Sequence, residues 1–315
     1  MYSSVNQLVS ALDRFAQFFI APLMKKNAME REREAVDSEF EQALPSDYNR
    51  RQQIFGSLAR PDHPMAKFMW GSTASLTADG KMPNREAHRR LVEFKGRHYS
   101  APSMTLAVQS QEQLDTLQEW VRESFSAVPD NGQPREDFAR LSDPFKTEGF
   151  SRLYKLAPIR ETYQVDLNWA LPPLQSQYRK KPLHYLSWVI GHEGKGSLIS
   201  YLRKKVWALS LTAGNAGDGF EHNSTYSIFT LTVVLTKAGF ENLEDVLAAV
   251  FSYLKMMERV GVSERIFKEI KEIEDLDFEF REIPYETSAF KNKIVPLYPL
   301  SVRKIYMYCL STNWG

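Results

Sequence analysis

Two carboxylates, Glu32 and Glu39, stand where a helix should be apolar. The stretch Ala28–Leu44 has helical periodicity, with Asn27 as the expected N-cap, Glu30 in the capping-box position and Pro45 beyond the end. At about 100° per residue, Ala28, Ala35, Val36, Phe40 and Ala43 form one stripe. Glu30, Glu34, Asp37 and Glu41 take the opposite, solvent side. Glu32 and Glu39 fall inside the stripe. A carboxylate facing a core is costly unless a cation, a proton or a metal satisfies it. The pair is therefore either a functional site or a structural ion-pair cluster with Arg14, Arg31 or Arg33.

An internal repeat bears on that choice. Ala11–Glu41 and Asp245–Asp275 both read as helix, short turn, helix. With Glu30–Arg31 set against Glu264–Arg265, Glu32 falls on Ile266, Val36 on Ile270 and Glu39 on Ile273. The second copy is apolar where the first is acidic. Acids are then no requirement of the scaffold, which favours the functional reading.

The surrounding elements follow from pattern. Leu8–Phe19 is an amphipathic helix stopped by Pro22. Arg60–Asn84 is loop-rich, Arg85–Phe94 helical, Ser103–Gln109 a short strand and Gln111–Phe125 a helix. Pro129–Pro144, polar with three prolines, reads as an interdomain linker. Strands are expected at Tyr163–Trp169, Val206–Thr212 and Ser224–Thr236. Helices are expected at Tyr178–Ile190, Leu198–Lys205, Leu243–Glu258 and Ser263–Asp277. Strands and helices mix without strict alternation, which predicts an α+β fold with antiparallel sheets flanked by helices.

Composition narrows the function classes. The 315 residues are 43% apolar and 25% charged, with 40 basic and 39 acidic residues and a net charge of +1. Bulk electrostatics favours no nucleic acid. The most apolar stretch, Ala11–Leu23, is interrupted by Asp13, Arg14 and Gln17, so no membrane insertion is expected. No basic region leads into an apolar core at the N-terminus, and Cys309 is the single cysteine; a cytoplasmic location is expected.

Several stretches, in order, resemble the pitrilysin/insulinase family of zinc metallopeptidases. They are ALDRFAQFF (Ala11–Phe19), REREAVDSE (Arg31–Glu39), GSLARPDHPMAKFMWG (Gly56–Gly71), WALP (Trp169–Pro172) and HYLSWVIGHEGKGSLISYLRKKVW (His184–Trp207). GSLARP and GHEGKGS look most like the member that cleaves near paired basic residues. The resemblance implies two homologous insulinase-type domains: residues 1–140 as the C-terminal part of a catalytic domain left incomplete, and 141–315 as a second domain. It implies zinc in the full-length family, with Glu39 as third protein ligand and Glu32 supporting the metal site. The first two ligands and the general base come from H-x-x-E-H. None of the six histidines here lies in that motif. The expectation is an orphaned ligand: no zinc held by this chain alone, no catalytic residue, and no peptidase activity as given. Ser301–Gly315 departs from the family pattern.

The alternative is a non-catalytic peptide-binding or regulatory module. The resemblance places a substrate-gripping exosite at Gly191 and Glu193 in the GHEGKGS turn and at Leu211, Ala213 and Gly214 on a strand edge. Ser187 and Trp188 depart from relatives there. Peptide substrates are the implied partners, with association with a full-length homologue also open. A third option is a chain whose unpaired strand edges prevent stable folding. GHEGKGS lacks the spacing of a phosphate loop. His184 with His192 reads as structural, and Arg203–Lys205 as a solvated basic face.

Overall fold

The computed structural model describes residues 5–280 apart from Gly217. The anomalous stretch Ser301–Gly315, with Cys309, lies outside the described residues. The chain divides into two compact units. Among the described residues the first comprises 5–57 and 64–137, and the second 58–63 and 138–280.

The first unit is helical. Its helices are α1 (Val5–Ile20), α2 (Lys26–Ala43), α3 (Asp47–Ser57), α4 (Thr73–Leu76), α5 (Asn84–His98) and α6 (Leu114–Phe125). The spacing of Leu8, Leu12 and Phe15 puts them on the face of α1 that meets α6. There Leu12, Val108 and Leu117 form a small core, with Leu106, Trp120, Val121 and Phe125 packed against it. The expected strand Ser103–Gln109 does not form. Ala101–Ser103 is a 3₁₀ turn and 104–110 is irregular. Its alternating pattern buries Val108 against helices, and no described strand lies beside it to complete a ladder.

The second unit holds an antiparallel sheet of β1 (Tyr163–Leu171), β2 (Ala208–Gly214) and β3 (Ser227–Leu235), in the order β1-β3-β2. The helices are α7 (Pro182–Gly191), α8 (Leu198–Lys204), α9 (Lys237–Glu241), α10 (Leu243–Val260) and α11 (Glu264–Phe280). The registers Leu167↔Leu231 and Ala213↔Leu231 place apolar residues of all three strands on one face. That face packs on Ile190, Leu198, Ile199, Leu202, Val246 and Val250. Each such buried aliphatic side chain contributes about 1.5–3 kcal/mol. The other face is polar: Thr232 Oγ1 donates to Asp166 Oδ1 (2.8 Å) and Thr230 Oγ1 to Asn168 Oδ1 (2.9 Å). The fold is α+β with an antiparallel sheet, as the mixed pattern predicts. No helix among the described residues is long and apolar enough to cross a membrane.

The division between the two units falls inside Pro129–Pro144, which is irregular apart from a 3₁₀ turn at Ala139–Leu141. Its end is anchored in the second unit: Pro144 and Phe145 are buried, and Pro144 O accepts from Arg60 N at 2.8 Å. The short helix α9, which the sequence pattern does not single out, starts because Thr236 Oγ1 accepts from Gly239 N at 3.0 Å. Each copy of the repeat is a pair of successive helices, α1–α2 and α10–α11, with turns of different length (21–25 against 261–263). Ile270 is buried in α11, whereas Ile273 is 54% exposed, so the second stripe is only partly covered.

Two predictions follow from this packing. A Cβ at Gly239 would stand 1.9 Å from Trp207 O. Gly239→Ala should therefore destabilise the second unit by about 2–4 kcal/mol in a denaturant melt. His63 is 2% exposed and its Nε2 bonds Leu141 O at 2.7 Å. Burial holds its pKa, and that of His222, below the usual 6.5. The unfolded chain then binds protons more readily, so stability should fall as pH drops below about 6.5 and level off under the folded pKa values. Thermal melts should show a shallower fall for His63→Gln than for the unchanged chain.

Candidate functional site

The acidic helix is fixed from behind. Ala28, Met29, Glu30, Arg33, Val36, Asp37, Phe40 and Ala43 are partly covered, and no residue of the helix is fully buried. Asn84, the first residue of α5, bridges two of them: Arg33 Nη1 donates to Asn84 Oδ1 (2.9 Å), and Asn84 Nδ2 donates to Glu30 Oε1 (2.7 Å). Asp37 Oδ1 accepts from Thr73 N at 2.6 Å, at the start of α4. Gly71 lies so close to Val36 that a Cβ there would stand 2.7 Å from Val36 Cγ1. Phe40 meets Phe68 edge-to-face, with ring centroids 5.5 Å apart.

The covered face keeps most of the stripe read off the sequence: Ala28, Val36, Phe40 and Ala43 are partly covered. Asp37 and Glu30, expected in solvent, are engaged, while Ala35, Glu32 and Glu39, expected inside, are exposed. The hydrogen bonds to Asn84 and Thr73 N draw the covered face toward Glu30, Arg33 and Asp37 and leave the flank of Glu32 and Glu39 open. The helix also begins earlier than expected: Lys25 is the N-cap, without a side-chain cap, and Asn27 lies inside the first turn. Glu32 and Glu39 form no ion pair with Arg14, Arg31 or Arg33 among the described residues, and Arg33 goes to Asn84 instead. Both carboxylates stand together on an open flank.

The residues present do not make a zinc site. Among the described residues no group of three His, Cys, Asp or Glu side chains could hold a metal ion. The sequence also supplies no H-x-x-E-H. Glu39 is a single oxygen donor, which falls short of a tetrahedral set. His184 and His192 do not meet. His184 Nε2 faces Glu274 (3.4 Å), and the His192 ring stacks on Trp188 at 5.9 Å between centroids.

The second candidate region assembles around β2. Helix α7 packs along that strand and ends at Gly191. The GHEGKGS turn follows, with Gly196 at φ +88° and Ser197 capping α8 through its bond from Ser200 N (3.2 Å). β2 pairs with β3 on one side and is an edge strand of the described sheet. Leu211 is buried on the apolar face, so only its main chain can serve a ligand. Ala213 pairs with Leu231 and Gly214 with Thr230. Gly214 has φ +140°, and a Cβ on it would stand 2.9 Å from Ser187 Oγ.

Glu193, which the resemblance places in the exosite, already has a partner. Arg203, at the end of α8, donates from Nη1 to Glu193 Oε2 (2.8 Å), and its Nη2 reaches Oε1 at 3.4 Å. The hydrogen bond from Arg203 is the main cause that holds the Glu193 pKa below the usual carboxylate range. Arg203 Nε and Nη2 also donate to Leu209 O, at 3.2 and 3.0 Å. Arg203 is exposed, as expected of a solvated basic run, but nothing in its local spacing marks partners six and ten residues away. Beyond it the α8 terminus closes with Trp207 N on Leu202 O (2.9 Å) and Val206 at φ +59°. A β-branched residue in the left-handed position, where glycine is usual, marks local strain.

Comparison with known proteins places this geometry in a family. Residues 88–274 match the "peptidase M16 inactive domain" and residues 2–62 the "insulinase (peptidase family M16)" domain. Nardilysin of Rattus norvegicus is 53% identical over 293 residues, covering 92% of this chain and 25% of the relative. Insulin-degrading enzyme of Drosophila melanogaster is 36% identical over 313 residues, 98% of this chain and 31% of the relative. The crystal structure of pitrilysin superposes with a TM-score of 0.75 at 24% identity, over 90% of this chain and 30% of that one. The chain spans about a quarter of the nardilysins it matches. It belongs to the insulinase (M16) peptidase family, with nardilysins among its relatives.

Proposed function

We propose that this chain is the portion of a nardilysin-like M16 zinc metalloendopeptidase that supplies the third metal ligand, Glu39, with Glu32 as its support. One observation carries the reading: both carboxylates stand exposed on one flank of a helix whose opposite side is tied by Asn84 and Thr73. When bound by a complete ligand set, zinc supplies Lewis-acid activation of water and substrate in such enzymes. The chain as given has one such ligand and no general base, so it does not hydrolyse peptides by itself. Metal analysis of the purified chain should find no stoichiometric zinc, and a peptide containing a basic pair should remain intact. One tightly held zinc per chain would overturn this reading.

A second reading rests on a separate observation, the β2 edge beside the Gly191–Ser197 turn. In it the chain binds an extended peptide by strand addition, using main-chain groups of Leu211, Ala213 and Gly214, with Glu193 near the peptide's amino end. Such binding should slow amide exchange at 209–214 when a peptide with a free amino terminus is added. Unchanged exchange there at saturating peptide would reject it.

A further inference from the structure

We propose that Arg203 is an internal competitor for the peptide amine, and so sets how strongly the β2 exosite prefers a free amino terminus. This rests on the strand-addition reading above. Glu193 is the only carboxylate in the turn Gly191–Ser197. The Arg203 guanidinium already covers it, at 2.8 and 3.4 Å, and donates twice more to Leu209 O, at 3.2 and 3.0 Å. Leu209 is the residue that the β2–β3 ladder skips, between Ala208↔Leu235 and Ser210↔Val234. One side chain thus occupies both the anion of the turn and the carbonyl at the bulge.

Among the ion pairs of the described residues, Glu193 meets Arg203. Lys205 does not share this role: its Nζ lies over the Tyr201 and Trp207 rings, at 6.0 and 5.7 Å. A peptide's α-amine is protonated near neutral pH and competes with the guanidinium for the same oxygens. Arg203 and Glu193 side chains are 42% and 58% exposed, and an exposed pair of this kind is weak. Arg203 therefore tunes binding and does not block it. Releasing it should tighten binding of a free-amine peptide about two- to fivefold. A peptide whose amine is acetylated gains nothing from the exposed carboxylate.

The test titrates the full chain with one basic peptide in free-amine and N-acetylated forms, with amide exchange at 209–214 as the locator. Arg203→Gln keeps a donor for Leu209 O and removes the charge. It should tighten the free-amine peptide two- to fivefold and leave the acetylated one unchanged. Glu193→Gln should erase the difference between the two peptides. A guanidinium that only pins the bulge would shift both peptides alike, and an equal shift or no shift overturns the competitor role while strand addition stands. If neither peptide protects 209–214 in any version, strand addition fails and this proposal fails with it. Should Arg203→Gln lose its cooperative melt, Arg203→Lys, which keeps charge but cannot fork, should give a smaller change of the same sign.

Discussion

The rotation of α2 about its own axis is the constraint on which the acidic site depends. That rotation is fixed by the Asn84 amide, which holds Arg33 with its oxygen and Glu30 with its nitrogen, and by Asp37 on Thr73 N. Turning the helix by one residue would bring Val36 or Ser38 before Thr73 N in place of Asp37, and that bond to a carboxylate would be lost. Each bond adds only about 0.5–1.5 kcal/mol net, yet together with Val36 against Gly71 and Phe40 against Phe68 they leave a single face for Glu32 and Glu39. The carboxylates are exposed because the other side of the helix is held.

In the second unit the corresponding constraint is the central place of β3. Paired on both sides and almost wholly buried, it leaves β1 and β2 as the edges of the described sheet. Edge strands invite pairing with other chains, and proteins blunt them with bulges and charge. The bulge at Leu209 and the guanidinium of Arg203 do both at one end of β2. Strain at Val206, between Arg203 and the strand, is consistent with a terminus shaped by this arrangement more than by helix propensity.

Much of the fold is legible in the sequence. The alternation of Tyr163, Val165, Leu167 and Trp169 predicts β1, and the periodicity of Leu8, Leu12 and Phe15 predicts α1. The inward placement of Glu32 and Glu39 and the strand at 103–109 rest on local period, whereas each is decided by partners elsewhere in the chain. Asn84 is 51 residues from Arg33, and Val108 packs on Leu12 and Leu117 of two helices. The basic run Arg203–Lys205 is exposed as expected, with Arg203 bound to Glu193 as well. Period reports which residues are apolar; it does not report which face another element will claim when polar contacts outweigh a weak stripe. The acidic pair was visible as unusual, but its exposure was not.

The proposed role of Glu39 as third ligand of a metal site is tested by joining an H-x-x-E-H helix from an M16 relative ahead of the chain and counting bound zinc, with Glu39 intact and as Glu39→Gln. One zinc per chain is expected with Glu39, and a marked loss with Glu39→Gln. Equal zinc in both versions, each with an unchanged cooperative melt, would contradict it.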